Sequence, residues 1–133
     1  SLEEIASYSD RTGGSFTNPF EGPSVRDEET LARTLGVLQR DPNIDFIVLE
    51  IAAGALERDP SFLAKRIATL QPFLGPQAKP LVTLLTTDNP YTETVNTKAM
   101  ERELLAGGIP CFQGMDRAAR ALHNTVIYYR RGA

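Results

Sequence analysis

One histidine, one cysteine and scattered carboxylates are what this chain of 133 residues offers for covalent or acid-base chemistry. His123 stands between Leu122 and Asn124, with no Asp, Glu or Cys at a spacing that would complete a metal site or orient the ring. Neither a metal role nor that of general base is expected of it. Cys111 sits in a short apolar stretch and reads as a small buried side chain, inert unless a cation lowers its pKa. Glu50 interrupts an apolar run, so its carboxylate either emerges at the rim of a sheet, the simpler case, or is buried with a partner. Tyr128-Tyr129-Arg130-Arg131 has the residue types of a stacking and phosphate patch for single-stranded nucleic acid, but a solvated helix end accounts for it better in an acidic chain. No catalytic constellation and no metal-ligand set is therefore expected.

Composition narrows the class further. With 17 acidic and 14 basic side chains the net charge is -3, which provides no general field for nucleic acid or an anionic membrane. A single Cys cannot cross-link within the chain, and no apolar run approaches the ~20 residues a bilayer demands. The absence of a signal-peptide pattern makes a reducing, cytoplasmic setting the default. Ser1 in place of an initiator Met suggests a piece of a longer protein.

Whatever chemistry exists must be positioned by an alternation of helices and strands. Residues 1–14 read as a leading helix or linker, with Leu2, Ile5, Ala6 and Ser9 on one face, and residues 15–133 as one domain. Phe16 to Phe20 is at most a short or edge strand because of Pro19. Ser24-x-x-Asp27 resembles a helix cap, followed by a stripe of Leu31, Leu35 and Leu38 that Asp41-Pro42 stops. Asp45 to Ile51 is an almost unbroken apolar run rich in β-branched residues, read as a central parallel strand ending in the small-residue turn Ala52 to Ala55. A helix over Leu63, Ile67, Leu70 and Leu74 starts at Asp59-Pro60 and closes at Gly75-Pro76. Leu81 to Leu85 gives a second buried strand, Thr92 to Ala106 a helix capped by Gly107-Gly108, and Ile109 to Gln113 a third strand. The last helix places Ala119, Leu122, Val126 and Tyr129 on one face. This rhythm implies an α/β fold: a flavodoxin-like three-layer αβα sandwich with a small parallel sheet, or a truncated Rossmann type.

In such folds ligands bind at the carboxyl ends of the strands, where loops and helix N-termini converge. The candidate residues there are Asn18 and Gly22, Glu50 and Gly54, and Thr86 and Asn89. Gly54 would permit close approach of a phosphate or thioester, and Thr86 and Asn89 offer a hydroxyl and an amide. Neither G-x-G-x-x-G nor G-x-x-x-x-G-K-[ST] occurs, and ordinary turns closing βα units are the simpler account of all three segments.

Several stretches together resemble one family. Asn18-Pro19-Phe20, followed by a helix and by Leu38-Gln39-Arg40-Asp41-Pro42-Asn43-Ile44-Asp45 with its hydrophobic run, is similar to a pattern of the NDP-forming acyl-CoA synthetases, relatives of succinyl-CoA synthetase. Lys79-Pro80-Leu81-Val82 resembles that family's strand. Glu103-Leu104-Leu105-Ala106-Gly107-Gly108-Ile109-Pro110-Cys111-Phe112 and Asp116-Arg117-Ala118-Ala119-Arg120-Ala121-Leu122 resemble its closing run. The resemblance covers roughly residues 15 to 131 and implies a flavodoxin-like ligase domain that needs no cofactor of its own. It implies a parent enzyme using CoA, ATP or GTP and magnesium, whose partners for this domain are a phosphohistidine domain and an ATP-grasp domain. The family's Ser-His-Thr-Gly phosphohistidine motif is absent, and His123 does not match it.

The resemblance thus leads to an accessory ligase domain, inactive alone, that helps form the phosphohistidine, acyl-phosphate and CoA cavity of a larger enzyme. The alternative is a non-catalytic interaction or regulatory domain on the same scaffold, which the scarcity of glycine at Ala52 to Ala55 favours. A free-standing flavoprotein or phosphoreceiver would need an FMN loop or an acidic cluster with a distal Lys, and the strand ends supply neither.

Overall fold

In the computed structural model, residues 2–8, 19–20, 27–87 and 97–131 are described, apart from the side chains of Leu56, Glu57, Tyr129, Arg130 and Arg131. The elements in chain order are α1 (Leu2–Tyr8), α2 (Glu28–Arg40), β1 (Ile47–Ala52), α3 (Ala55–Arg58), α4 (Phe62–Leu70), a 3-10 turn (Gln71–Phe73), β2 (Leu81–Thr86), α5 (Thr97–Ala106), β3 (Cys111–Gln113) and α6 (Met115–Arg131). They gather into two compact units, Ser1–Ile47 with Ala64–Pro80, and Val48–Leu63 with Leu81–Ala133.

The first unit is built around α2. Its N-cap is Asp27, whose Oδ1 accepts from Thr30 N–H at 2.8 Å; the expected cap, Ser24, lies outside the described residues. Leu31, Thr34, Leu35 and Val37 are buried while Leu38 is only half-buried, so the inward face is wider than the stripe of three leucines expected. The Thr34 hydroxyl is absorbed by Thr30 O at 2.8 Å and by Tyr8 Oη at 3.2 Å, which joins α1 to α2. Arg33 stacks over the Tyr8 ring at 3.9 Å, and Ile5 is fully buried.

At the other end of α2, the Lys79 ammonium donates to the carbonyls of Leu38 and Asp41, and Gln39 holds the Lys79 backbone on both sides, at 2.8 and 3.2 Å. The last carbonyls of a helix lack intrahelical donors, and a lysine from forty residues away supplies them here.

The sheet has the order β1-β2-β3, and all of it but Ile47 belongs to the second unit. Strand β3 pairs parallel with β2, Thr83 opposite Cys111. Ile47 N–H donates to Pro80 O and Ala53 N–H to Thr86 O, each at 2.8 Å, so β1 and β2 rise together and are parallel as well. The architecture is α/β, a small open parallel sheet with helices, consistent with a flavodoxin-like αβα arrangement. Leu81 to Leu85 are all buried, as a strand flanked on both sides requires. Strand β1 was expected to be central; among the described residues it is an edge strand whose burial alternates, with Glu50 exposed.

Three helix expectations need correction. Helix α4 ends at Leu70 because Pro72 has no N–H to continue it, and Leu74 follows a 3-10 turn rather than a helical one. The turn after β1 holds the short helix α3. Helix α6 turns Ala118 to the core, while Ala119 and Val126 are exposed. Helix α5 begins at Thr97, with residues 88–96 outside the description, and ends as the paired glycines predict. Gly108 has φ +79°, Gly108 N–H bonds Leu105 O and Ile109 N–H bonds Leu104 O, with Leu104 and Ile109 both fully buried.

Candidate functional site

The described part of the expected rim is the carboxyl end of β1 and β2. Parallel pairing places Ala52 opposite Thr86 and Glu50 opposite Leu84, so Glu50 and Thr86 emerge on one face of the sheet. There the Thr86 hydroxyl donates to Glu50 Oε1 at 2.8 Å. Glu50 is exposed and Thr86 half-buried, so the simpler expectation, a carboxylate at the rim, is what the sheet edge displays. Gly54 follows two residues after β1, as the N-cap of α3. Asn18, Gly22 and Asn89 lie outside the described residues.

This arrangement has a definite chemical sense. The only proton on the Thr86 hydroxyl is engaged by a carboxylate, which leaves the pair with free lone pairs and a negative charge. This pair accepts; it does not donate. A phosphate needs donors and positive potential, so Glu50 and Thr86 do not fit a phosphate, and one carboxylate beside one hydroxyl does not make a magnesium cage. Gly54 was expected to open the backbone to a ligand. Its φ of -61° and ψ of -14° are ordinary right-handed values that any residue adopts, so its backbone conformation does not call for glycine.

On the opposite face, Gln113 at the end of β3 donates to Glu101 of α5 at 2.7 Å. Cys111, two residues earlier on the same face, is buried beside Thr83, and burial pushes its thiol pKa up from 9.0, with the Glu101 carboxylate pushing the same way and a hydrogen bond with Thr83 opposing. Its burial is as expected.

Sequence reasoning missed a buried ion pair in the first unit. Arg66 is 3% exposed, in the apolar stripe of α4, with its Nε 3.1 Å from Glu28 Oε1 at the start of α2. Burial lowers the guanidinium's pKa, and Glu28 and then Asp27 hold it up. The signal was present: Arg66 falls three residues after Leu63 and four before Leu70, both inward positions.

His123 is exposed on α6, and among the described residues no group of three or more His, Cys, Asp or Glu is placed to hold a metal. Among the described residues, a shallow open depression is lined by Asp116, Arg117, Arg120, Ala121 and Asn124 of α6. No described helix is long and apolar enough to cross a membrane.

No family model matches the chain, and no curated protein or solved structure matches it.

Proposed function

We propose that the chain is an accessory ligase domain of an NDP-forming acyl-CoA synthetase, one that shapes the acyl-phosphate and CoA cavity by packing against the phosphohistidine and ATP-grasp domains. One observation carries the reading: three described stretches that resemble the family fall where this fold has structural need of them. Lys79-Pro80 caps α2 and leads into β2, with Pro80 O accepting from Ile47 N–H. Gly107-Gly108-Ile109-Pro110 closes α5 and delivers the chain to β3, where Pro110 O accepts from both the N–H and the hydroxyl of Thr83. Asp116 to Leu122 forms the first two turns of α6, around its buried Ala118.

In this reading CoA, nucleotide and magnesium are held by other domains, because Glu50 and Thr86 offer acceptors rather than donors. The cytoplasm, with its CoA and nucleotide pools, is the compartment the reading requires. The second reading, a non-catalytic interaction or regulatory domain, draws on the same Glu50–Thr86 pair, which suits a basic group of a partner better than an anionic substrate.

The test is acyl-CoA formation, with ADP or GDP release, by the intact protein that contains this chain, against a panel of carboxylates. Gly54→Val is expected to lower turnover with unaltered melting, since a branched side chain obstructs a neighbouring domain while the backbone tolerates it. His123→Ala is expected to leave turnover unchanged. Absence of acyl-CoA formation with every carboxylate turns the reading to the interaction domain.

A further inference from the structure

Helix α6 carries an apolar seam that the core does not use. Met115, Ala119, Leu122 and Val126 follow one another at alternating four- and three-residue intervals, the spacing that keeps one stripe toward a partner helix. Met115 is 57% exposed, Val126 38%, Ala119 is exposed and Leu122 half-buried, whereas the residue fully buried in the core is Ala118. Thr125 lies two turns beyond Ala118 on the same face, yet it is exposed and its hydroxyl turns back to Ala121 O at 2.8 Å. Beyond Ala118 no described residue of α6 is fully buried, and the seam turns away from the core.

The residues beside the seam point to what covers it. Asp116 follows Met115 and His123 follows Leu122, so both flank the seam on one side, and both are exposed. When two copies of α6 pair antiparallel, Met115 of one meets Val126 of the other, and Ala119 meets Leu122, small against large. Asp116 then comes opposite His123 of the second copy, an acceptor against a donor, and the two-fold axis repeats every pair. A parallel pair leaves Asp116 with no helical donor across from it. By helical periodicity Arg117, Arg120 and Asn124 fall on the far side of α6 from the seam, so the arginines do not repel one another across the pair.

We infer that two copies of this chain associate through an antiparallel pairing of α6 along Met115, Ala119, Leu122 and Val126, flanked by Asp116 and His123. The inference is independent of the acyl-CoA reading. Sedimentation velocity of the chain over a wide concentration range is expected to show a reversible monomer-dimer equilibrium. Ala119→Glu, which puts a charge into the seam at an exposed position, is expected to weaken the dimer about tenfold or more with an unchanged monomer melting temperature. Asp116→His and His123→Asp are each expected to weaken it by about a few-fold, and the double exchange to restore it, which a fault in folding would not do.

Register is read by mixing Met115→Cys with Val126→Cys protein under mild oxidation; the mixed disulfide dimer is expected, and Arg117→Cys mixed with Val126→Cys is expected to give none. A monomer at every concentration would leave the seam to a different protein or to solvent and overturn the inference. A dimer indifferent to Ala119→Glu and to both exchanges, or cross-linked through Arg117→Cys, would overturn it equally.

Discussion

Arg66 and Glu28 form a pair whose two members are buried to different degrees, and that difference has a consequence for stability. The Arg66 side chain is 3% exposed and that of Glu28 27%, so removing the carboxylate takes the nearest counter-charge from a guanidinium held away from water, whereas the carboxylate without its guanidinium keeps some exposure to water. Glu28→Gln is therefore expected to cost about 3 kcal/mol and Arg66→Met, which keeps the packing stem, about 1 kcal/mol. Urea denaturation of both variants checks the order; equal losses would mean that the pair is not sustained by Glu28. Cys111 makes a second prediction at this scale. Burial raises its folded pKa above the ordinary 9.0, so the neutral thiol contributes stability that is complete below that value and is lost as pH rises through it. Cys111→Ala is expected to flatten the alkaline end of the stability profile, and the native thiol to resist alkylation near neutral pH until the chain unfolds.

At the level of elements, two helix ends and one helix face can be weighed separately. Asp27 caps α2 with its pKa held below 3.8 chiefly by the Thr30 N–H, so its contribution is present above that value and disappears as pH falls through the lowered one. Asp27→Ala is expected to cost about 1 kcal/mol at neutral pH, and less once the carboxyl is protonated, in melts across the acid range. Gly108 closes α5 at φ +79° with open space around the missing Cβ, so Gly108→Ala costs backbone strain alone, about 1 kcal/mol. In α4, Leu63 is buried and Ile67 only half-buried. Leu63→Ala is expected to lose about 2 to 5 kcal/mol and Ile67→Ala about 1 kcal/mol, although periodicity alone makes the two equivalent.

Across the whole molecule, protection should follow burial rather than chain position. Strand β2 is hydrogen-bonded to a neighbour on each side and buried from Leu81 to Leu85, while α6 has no buried residue after Ala118 among those described. Amide exchange is expected to be slowest at Thr83 to Leu85 and fastest in α6 over His123 to Tyr128. Uniform protection along α6 in dilute solution would show that its outer turns are covered within one copy.

The order of helices and strands, their parallel sheet and the glycine-closed end of α5 were legible in the sequence, because these follow from local rules: periodicity, β-branched runs and the left-handed position that Gly108 takes. Glu50 was legible as a rim residue, since an apolar strand displays its one carboxylate where the sheet ends. What periodicity could not supply is direction, because it shows that a stripe exists and leaves open which neighbour the stripe faces. Thus Ala118 rather than Ala119 turned inward, and Arg66 took an apolar position because Glu28, distant in sequence, came to meet it. Tertiary structure alone decided the pairing of Thr86 with Glu50 and the capping of α2 by Lys79, since each needs two segments more than thirty residues apart to meet within hydrogen-bond reach.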